Sequence, residues 1–378
     1  LEGKDATALD RNGAVQELER KRKELADLQG ENPMVFSCVD ESCVASVVAE
    51  WTGIPVGRMA RRTVAEVLDL PNTLERRVIG QRHALETISR RIQGSRARLE
   101  NPERPVGVFM FVGPSGTGKT ETALALAEAL YGGEQNLITI NMAEFQERHT
   151  VSTLKGSPPG YVGYGDGGVL TEAVRRRPYS VVLLDEVEKA HPDVHKMFFQ
   201  VFDKGYMEDS EGRPINFRNT IIILTSNAAQ DVVMDMCRRP AERPHPEALE
   251  RSLRAPLTEV FPDALLNRLV VVPYYPISKD ILQRIVRLNL ERVERRLREN
   301  HEVPFTYDDS VVEAIAHECG ELERGARMVE ALIANSIIPR ISQEILSRTL
   351  DGGRIHRVHL AAQDTKIEYS FDPEQAAA

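Results

Sequence analysis

The chain has 378 residues, 48 Lys plus Arg against 57 Asp plus Glu for a formal charge of −9, 42% apolar and 28% charged residues. This is ordinary globular usage over more length than one ~150-residue domain needs, so wholesale disorder and collagen-like structure are excluded. The acidic balance argues against coating DNA or an anionic membrane through net charge, although local basic patches remain open.

Cys38, Cys43, Cys237 and Cys319 are too scattered for a disulfide framework and lack paired zinc spacing, which suits a reducing, cytoplasmic setting. No apolar run approaches the ~18 residues that cross a bilayer, and there is no secretory signal. The opening Leu-Glu-Gly-Lys suggests a piece of a longer protein.

In chain order, 14–29 reads as a charged helix stopped by Gly30, with Val15, Leu18 and Leu25 too few to define a coiled coil. Residues 1–30 are therefore expected to be the helical tail of a preceding region, and 31–72 a connector carrying the single Trp51. From 73 to 275 short apolar runs alternate with helical ones: Val108–Val112, Leu137–Ile140, Val181–Leu184, Ile221–Thr225 and Leu269–Val272. Strands that are almost uniformly apolar mean that both sheet faces are covered, so an α/β domain with a parallel sheet is expected. An amphipathic helix follows over Ser278 to about Asn300, then more helix to about Leu350. Alternation at Val358/Leu360 and Ile367/Tyr369/Phe371 predicts a terminal β-hairpin. The span 276–372 is thus expected to form a smaller, mostly helical domain, with 373–378 a flexible end.

Gly113-Pro-Ser-Gly-Thr-Gly-Lys-Thr120 fits the phosphate-loop pattern, a match expected by chance on the order of one per cent of the time in such a chain. A strand enters it and a helical run, Glu121–Leu130, leaves it. Gly113, Pro114, Ser115, Gly116, Thr117 and Gly118 would turn backbone N–H groups onto phosphate oxygens at a helix N-terminus. Lys119 would reach the β/γ-phosphates and the Thr120 hydroxyl would ligate Mg²⁺.

Downstream, Val181-Val-Leu-Leu-Asp-Glu186 ends an apolar strand in two carboxylates at the sheet edge where ligands bind. Asp-Glu there can simply cap a helix, but with a phosphate loop upstream Asp185 suits a Mg²⁺ ligand and Glu186 the base that activates water. Asn227, ending Ile221–Thr225-Ser-Asn, could hold the attacking water or the γ-phosphate, or be an ordinary turn residue. The loop 156–168 holds six glycines and two prolines, so its Tyr161 either grips another polypeptide or folds back on its own loop. Arg175–Arg177 and the Arg-rich 284–298 read as solvated or intersubunit faces. Arg268 and Arg327 are unremarkable by spacing alone.

Together these blocks resemble the AAA+ ATPases, specifically the second ATPase ring of the Clp/heat-shock unfoldases, over about residues 45–350. The resemblance rests on Trp51–Gly57, Val78-Ile-Gly-Gln81, the phosphate loop, Gly160-Tyr-Val-Gly163, Leu184–Pro192, Leu265–Arg268 and Gly325-Ala-Arg327. It implies a phosphate-loop α/β subdomain with a helical lid, closing as a homo-hexamer that binds ATP and Mg²⁺ and threads protein through its pore. On matching positions, Val78 and Ile79 line the adenine pocket, Asn227 is a polar sensor, Arg268 an arginine finger serving the neighbouring subunit, and Arg327 the lid sensor. Tyr161 and Val162 line the pore, with 206–213 as a lower pore loop.

Within the family, Gly156–Gly165, Phe198–Gly205 and Val270–Pro276 resemble the branch that disassembles contracted type VI secretion sheaths more than the disaggregases. The resemblance implies sheath subunits as substrate, no nucleic acid and no membrane insertion. A peptidase partner is not expected, because no Ile-Gly-Phe or Ile-Gly-Leu tripeptide occurs between 228 and 262. A general disaggregase and the ring of an ATP-dependent protease are the alternatives.

Overall fold

The computed structural model describes residues 8–29, 39, 43–44, 47–48, 64–156, 167–238, 243–321, 325–351, 353–363 and 366–373. Trp51, most of the 31–72 segment, and the loop with Tyr161 and Val162 lie outside them. The chain divides into two compact units, Leu1–Arg61 and Arg62–Ala378. In the first, the expected charged helix begins earlier and runs Ala8–Gln29. Of its heptad-spaced residues, Val15 and Leu18 are exposed and Leu25 is half-buried, so among the described residues they make no buried seam.

The second unit is built on a parallel sheet whose strands are β1 (Gly107–Val112), β2 (Leu137–Asn141), β3 (Val181–Asp185), β6 (Ile221–Ser226) and β7 (Val270–Pro273), ordered β2-β3-β6-β1-β7. The three central strands are buried along almost their whole length, as their unbroken apolar sequences require, while edge strand β2 alternates buried Ile138 and Ile140 with exposed Thr139 and Asn141. Val108, Met110, Val112, Val182, Leu184, Ile222 and Leu224 share one core with Phe198, Leu249 and Leu253. The intervening Phe109 and Phe111 point the other way, where Phe111 packs on Tyr274 with centroids 5.1 Å apart.

Strand β6 is inserted between β1 and β3, pairing Val112 with Ser226 on one side and Leu184 with Leu224 on the other. The carboxyl ends of three strands therefore meet at one edge. A buried glutamine fastens that edge. Gln81 donates through Nε2 to Thr117 O (3.2 Å) and Tyr275 O (2.8 Å), while its Oε1 accepts from Tyr275 N–H at 3.1 Å.

Some short elements are not legible in the sequence. Strands β4 (Tyr206–Glu208) and β5 (Pro214–Asn216) make a short antiparallel ribbon. Its turn is pinned by Asp209, whose Oδ1 accepts the Glu211 and Arg213 amides at 2.9 Å each. Three-residue strands are too short to show a period in sequence.

The lid opens with the helix Lys279–His301, which buries Leu282, Val286, Leu290, Val293 and Leu297 at three- and four-residue steps. The expected hairpin is present as β9 (Ile355–Gln363) and β10 (Lys366–Pro373), and β8 (Phe305–Tyr307) joins it in parallel. Strand β8 was not expected, nor was a π-turn, Ile333–Ile337, just before Pro339. Proline has no N–H to give a tight helical turn and its ring crowds the preceding one, and the wider turn relieves both.

Replacing Gln81 with Met keeps the volume but strips three buried hydrogen bonds, leaving the Tyr275 amide and two carbonyls unpaired. Gln81→Met should cost about 2–4 kcal/mol of stability, read from the denaturant midpoint.

Candidate active site

Strand β1 ends at Val112 and the chain turns through Gly113, which is forced on this position by its neighbour. A Cβ there would lie 2.5 Å from the Tyr274 carbonyl, and φ is +156°. The loop then feeds the helix Lys119–Tyr131, which begins two residues earlier than its apolar pattern suggests. Lys119 is buried. Its Nζ donates to Gly113 O at 2.5 Å, Pro114 O at 2.9 Å and Asn227 Oδ1 at 2.9 Å. Burial pushes this ammonium down to about 8, and Arg327 pushes it the same way, against the pull of Glu188 and Asp185.

The carboxylate strand delivers Asp185 and Glu186 beside it. Thr225, from inserted strand β6, donates its hydroxyl to Asp185 Oδ1 and accepts the Glu186 amide at 3.1 Å. Glu186 sits at φ +56°, ψ +48°, a left-handed conformation costly for a residue with a Cβ. Its Oε2 takes a 2.7 Å hydrogen bond from Lys189, whose ammonium is raised by that contact. Glu188 Oε1 accepts the Asn227 amide at 3.1 Å, and its buried Oε2 has no partner among the described residues.

The lid supplies the other wall. Gly325 at φ +62° lets the Ala326 amide donate to Gly116 O at 3.1 Å, and a Cβ on Gly325 would meet that same carbonyl at 2.9 Å. The helix Ala326–Leu332 thereby starts on the phosphate loop itself and carries Arg327 to the cleft. Farther out, Arg77 contacts Glu121, Glu128 and Glu134 at 2.6 Å each. Burial disfavours its charge, but these ion pairs outweigh that and hold the guanidinium above its ordinary value. Arg292 of the long lid helix reaches the same Glu121 at 3.2 Å.

These groups enclose a cavity of about 270 Å³ lined by Val78, Ile79, Ser115, Gly116, Thr117, Gly118, Lys119, Thr120, Asp185, Glu186, Asn227 and Arg327. Gly113 and Pro114 stand just behind it. Arg268 does not reach it. Glu121, Thr225, Arg77 and Arg292 also line it and were not singled out in the sequence. Glu121 follows directly on the phosphate-loop threonine and was the one most open to detection. Among the described residues no cluster of three or more His, Cys, Asp or Glu could hold a metal, and no helix is long and apolar enough to cross a membrane. The donor set at the cleft, one hydroxyl and one carboxylate beside a phosphate cradle, fits an ion shared with bound phosphates.

A phosphate loop and an Asp-Glu strand flanking an inserted strand, roofed by a lid that bonds to the loop, define an AAA+ ATPase fold. The chain belongs to the AAA+ ATPases of the Clp/heat-shock kind and corresponds to their C-terminal ATPase domain. The description "AAA domain (Cdc48 subfamily)" matches residues 104–272, and "C-terminal, D2-small domain, of ClpB protein" matches 277–358.

The AAA+ ATPase ClpV1 of Pseudomonas aeruginosa is 60% identical over 348 residues, covering 92% of this chain and 39% of that protein. The chaperone ClpB of Yersinia enterocolitica is 53% identical, covering 88% and 37%. A closed-state cryo-EM structure of Hsp104 with ATPγS and FITC casein superposes with a TM-score of 0.72 at 30% identity, covering 89% of this chain and 56% of that one. The chain spans about two-fifths of the length of these curated relatives.

A lysine near pKa 8 that meets phosphate charge must take up a proton above that pH. Because its value in the folded chain lies below the ordinary 10.5, the fold binds fewer protons here than the unfolded chain between the two. Calorimetric titration with Mg²⁺-saturated ATP, whose γ-phosphate is ionised at both pH values, in buffers of different ionisation enthalpy should show net proton uptake at pH 8.5 and almost none at pH 6.5. Lys119→Ala should abolish the difference.

Proposed function

We propose that this chain is the motor domain of an ATP-driven protein unfoldase that closes as a homo-hexamer and threads polypeptide through its pore. The observation that carries this reading is the convergence of Lys119, Asp185, Glu186, Asn227 and Arg327 on one cleft between sheet edge and lid. On this reading the domain limits follow those expected from sequence, with the large ATPase subdomain to about 275 and the lid beyond. The protein works in the cytoplasm without peptidase or nucleic acid.

Val78 and Ile79 bracket the adenine where the cleft is apolar. The loop amides and Lys119 hold the phosphates, and Lys119 exchanges the carbonyls of Gly113 and Pro114 for phosphate oxygens. Thr120 and Asp185 would hold Mg²⁺, which when bound neutralises phosphate charge. Thr225 fixes the Asp185 carboxylate and the Glu186 backbone, so the base carboxylate is presented from a rigid, strained turn. Glu186, once parted from Lys189, takes the proton of the attacking water, and Asn227 orients that water from the inserted strand. Arg327 senses the γ-phosphate from the lid, and the Ala326–Gly116 backbone bond ties lid position to the loop. Arg268 lies outside its own cleft and serves the neighbouring subunit as arginine finger.

Tyr161 and Val162 grip the substrate, with the 206–213 stretch as a lower pore loop. The Ser210 amide donates to Lys155 O at 3.1 Å, which fastens that stretch to the base of the Tyr161 loop and supports their acting together. The resemblance to the secretion branch makes contracted type VI sheaths the proposed substrate.

The test is capture from cell extract, with ATP, by the full-length protein carrying Glu186→Gln and any other ATPase site silenced alike. The variant should bind ATP, turn over at least about a hundredfold more slowly and stall on its substrate. Dominance of two sheath proteins in the captured material supports the secretion reading. A broad mixture of misfolded proteins points to a general disaggregase, and near-normal turnover removes Glu186 as the base.

A further inference from the structure

Arg268 is held in place by its own chain. The residue follows the short helix Asp263–Leu266, and its guanidinium meets three groups at once. Nε donates to Asp203 Oδ2 at 2.7 Å, Nη1 donates to Ala264 O at 2.6 Å, and the guanidinium carbon lies 5.3 Å from the centroid of the Phe199 ring. Nη2 makes no hydrogen bond among the described residues. Phe199 and Asp203 are four residues apart, hence on one face of the helix Pro192–Lys204. That helix is the one that leaves the Asp185–Glu186 turn. Arg104 approaches the other Asp203 oxygen at 3.6 Å. Arg254 braces the turn itself through Asn267 and, at 3.4 Å, Asp263.

An ordinary surface ion pair is a single mobile contact and adds little to stability. Here a planar donor is fixed along one edge, at one corner and on one face, with its remaining edge left for a partner. An arginine that acts across a subunit boundary otherwise loses the freedom of a long side chain at the moment of contact, and fixing it beforehand removes that loss.

We infer that Asp203, with Phe199 beneath, is a positioning residue that holds Arg268 in the geometry required by the neighbouring subunit's ATP. This rests on the reading of Arg268 as an arginine finger and adds the residues that aim it. Asp203 is not among the residues that line its own cleft, and on this inference it acts through Arg268.

The experiment measures kcat and KM for ATP in the assembled full chain, with any other ATPase site silenced. The variants are Asp203→Asn, Phe199→Leu, Arg268→Ala and the double variant Asp203→Asn/Arg268→Ala. Asp203→Asn should lower kcat roughly five- to tenfold, the effect of losing one charge-assisted hydrogen bond. KM and the melting temperature should stay close to wild type. Phe199→Leu, which keeps the apolar bulk under the guanidinium, should give a smaller loss of the same kind. Arg268→Ala should lose more, and the double variant no more than Arg268→Ala, because Asp203 has nothing left to aim.

Wild-type turnover in Asp203→Asn beside an impaired Arg268→Ala would overturn the inference while leaving the finger in place. So would losses that multiply in the double variant. Normal turnover in Arg268→Ala would overturn the finger reading and this inference with it.

Discussion

A lysine ammonium buried at the edge of an apolar sheet is costly unless something answers its charge. Lys119 is answered only by carbonyls of its own loop and by the Asn227 amide oxygen, with Asp185 and Glu188 nearby, and burial still drags it to about 8. Much of the surrounding architecture follows from that. The sheet inserts β6 between the loop strand and the carboxylate strand, which brings Asn227 and Thr225 between the lysine and Asp185. A phosphate arriving here meets a cation already desolvated and aimed.

The lid is bound to the same point. Ala326 bonds to the loop through Gly116, and Arg292 shares Glu121 with Arg77 of the core. One carboxylate on the helix that begins at Lys119 therefore takes an arginine from each side of the cleft. These contacts join the phosphate loop and its helix directly to both walls of the cleft.

What the sequence displays is what is local. Five strands were legible because each is a short, mostly apolar run, the central three buried on both faces, and the phosphate loop because its glycines and lysine fall within eight positions. The terminal hairpin showed through the alternation at Val358/Leu360 and Ile367/Tyr369. The strand order was not visible, since pairing Val112 with Ser226 joins residues 114 positions apart. Gln81 read only as part of a family block, and its three bonds to Thr117 and Tyr275 exist only in the folded chain. Strands β4, β5 and β8 are too short to carry a period, and the widened turn before Pro339 has no periodicity of its own to show in the sequence. Arg268 and Arg327 drew meaning from the resemblance. The structure supplies the contacts of the first, to Asp203 and Phe199, and the cleft position of the second.

The central claim is that occupancy of the Lys119 site drives work on a polypeptide. The direct measurement follows ATP turnover and loss of fluorescence from a folded, tagged substrate in the same sample. It compares the assembled wild-type protein with Lys119→Ala, any other ATPase site being silenced in both. The account predicts that turnover and unfolding disappear together when Lys119 is removed. Unfolding that persists at the wild-type rate without turnover at this site would contradict it.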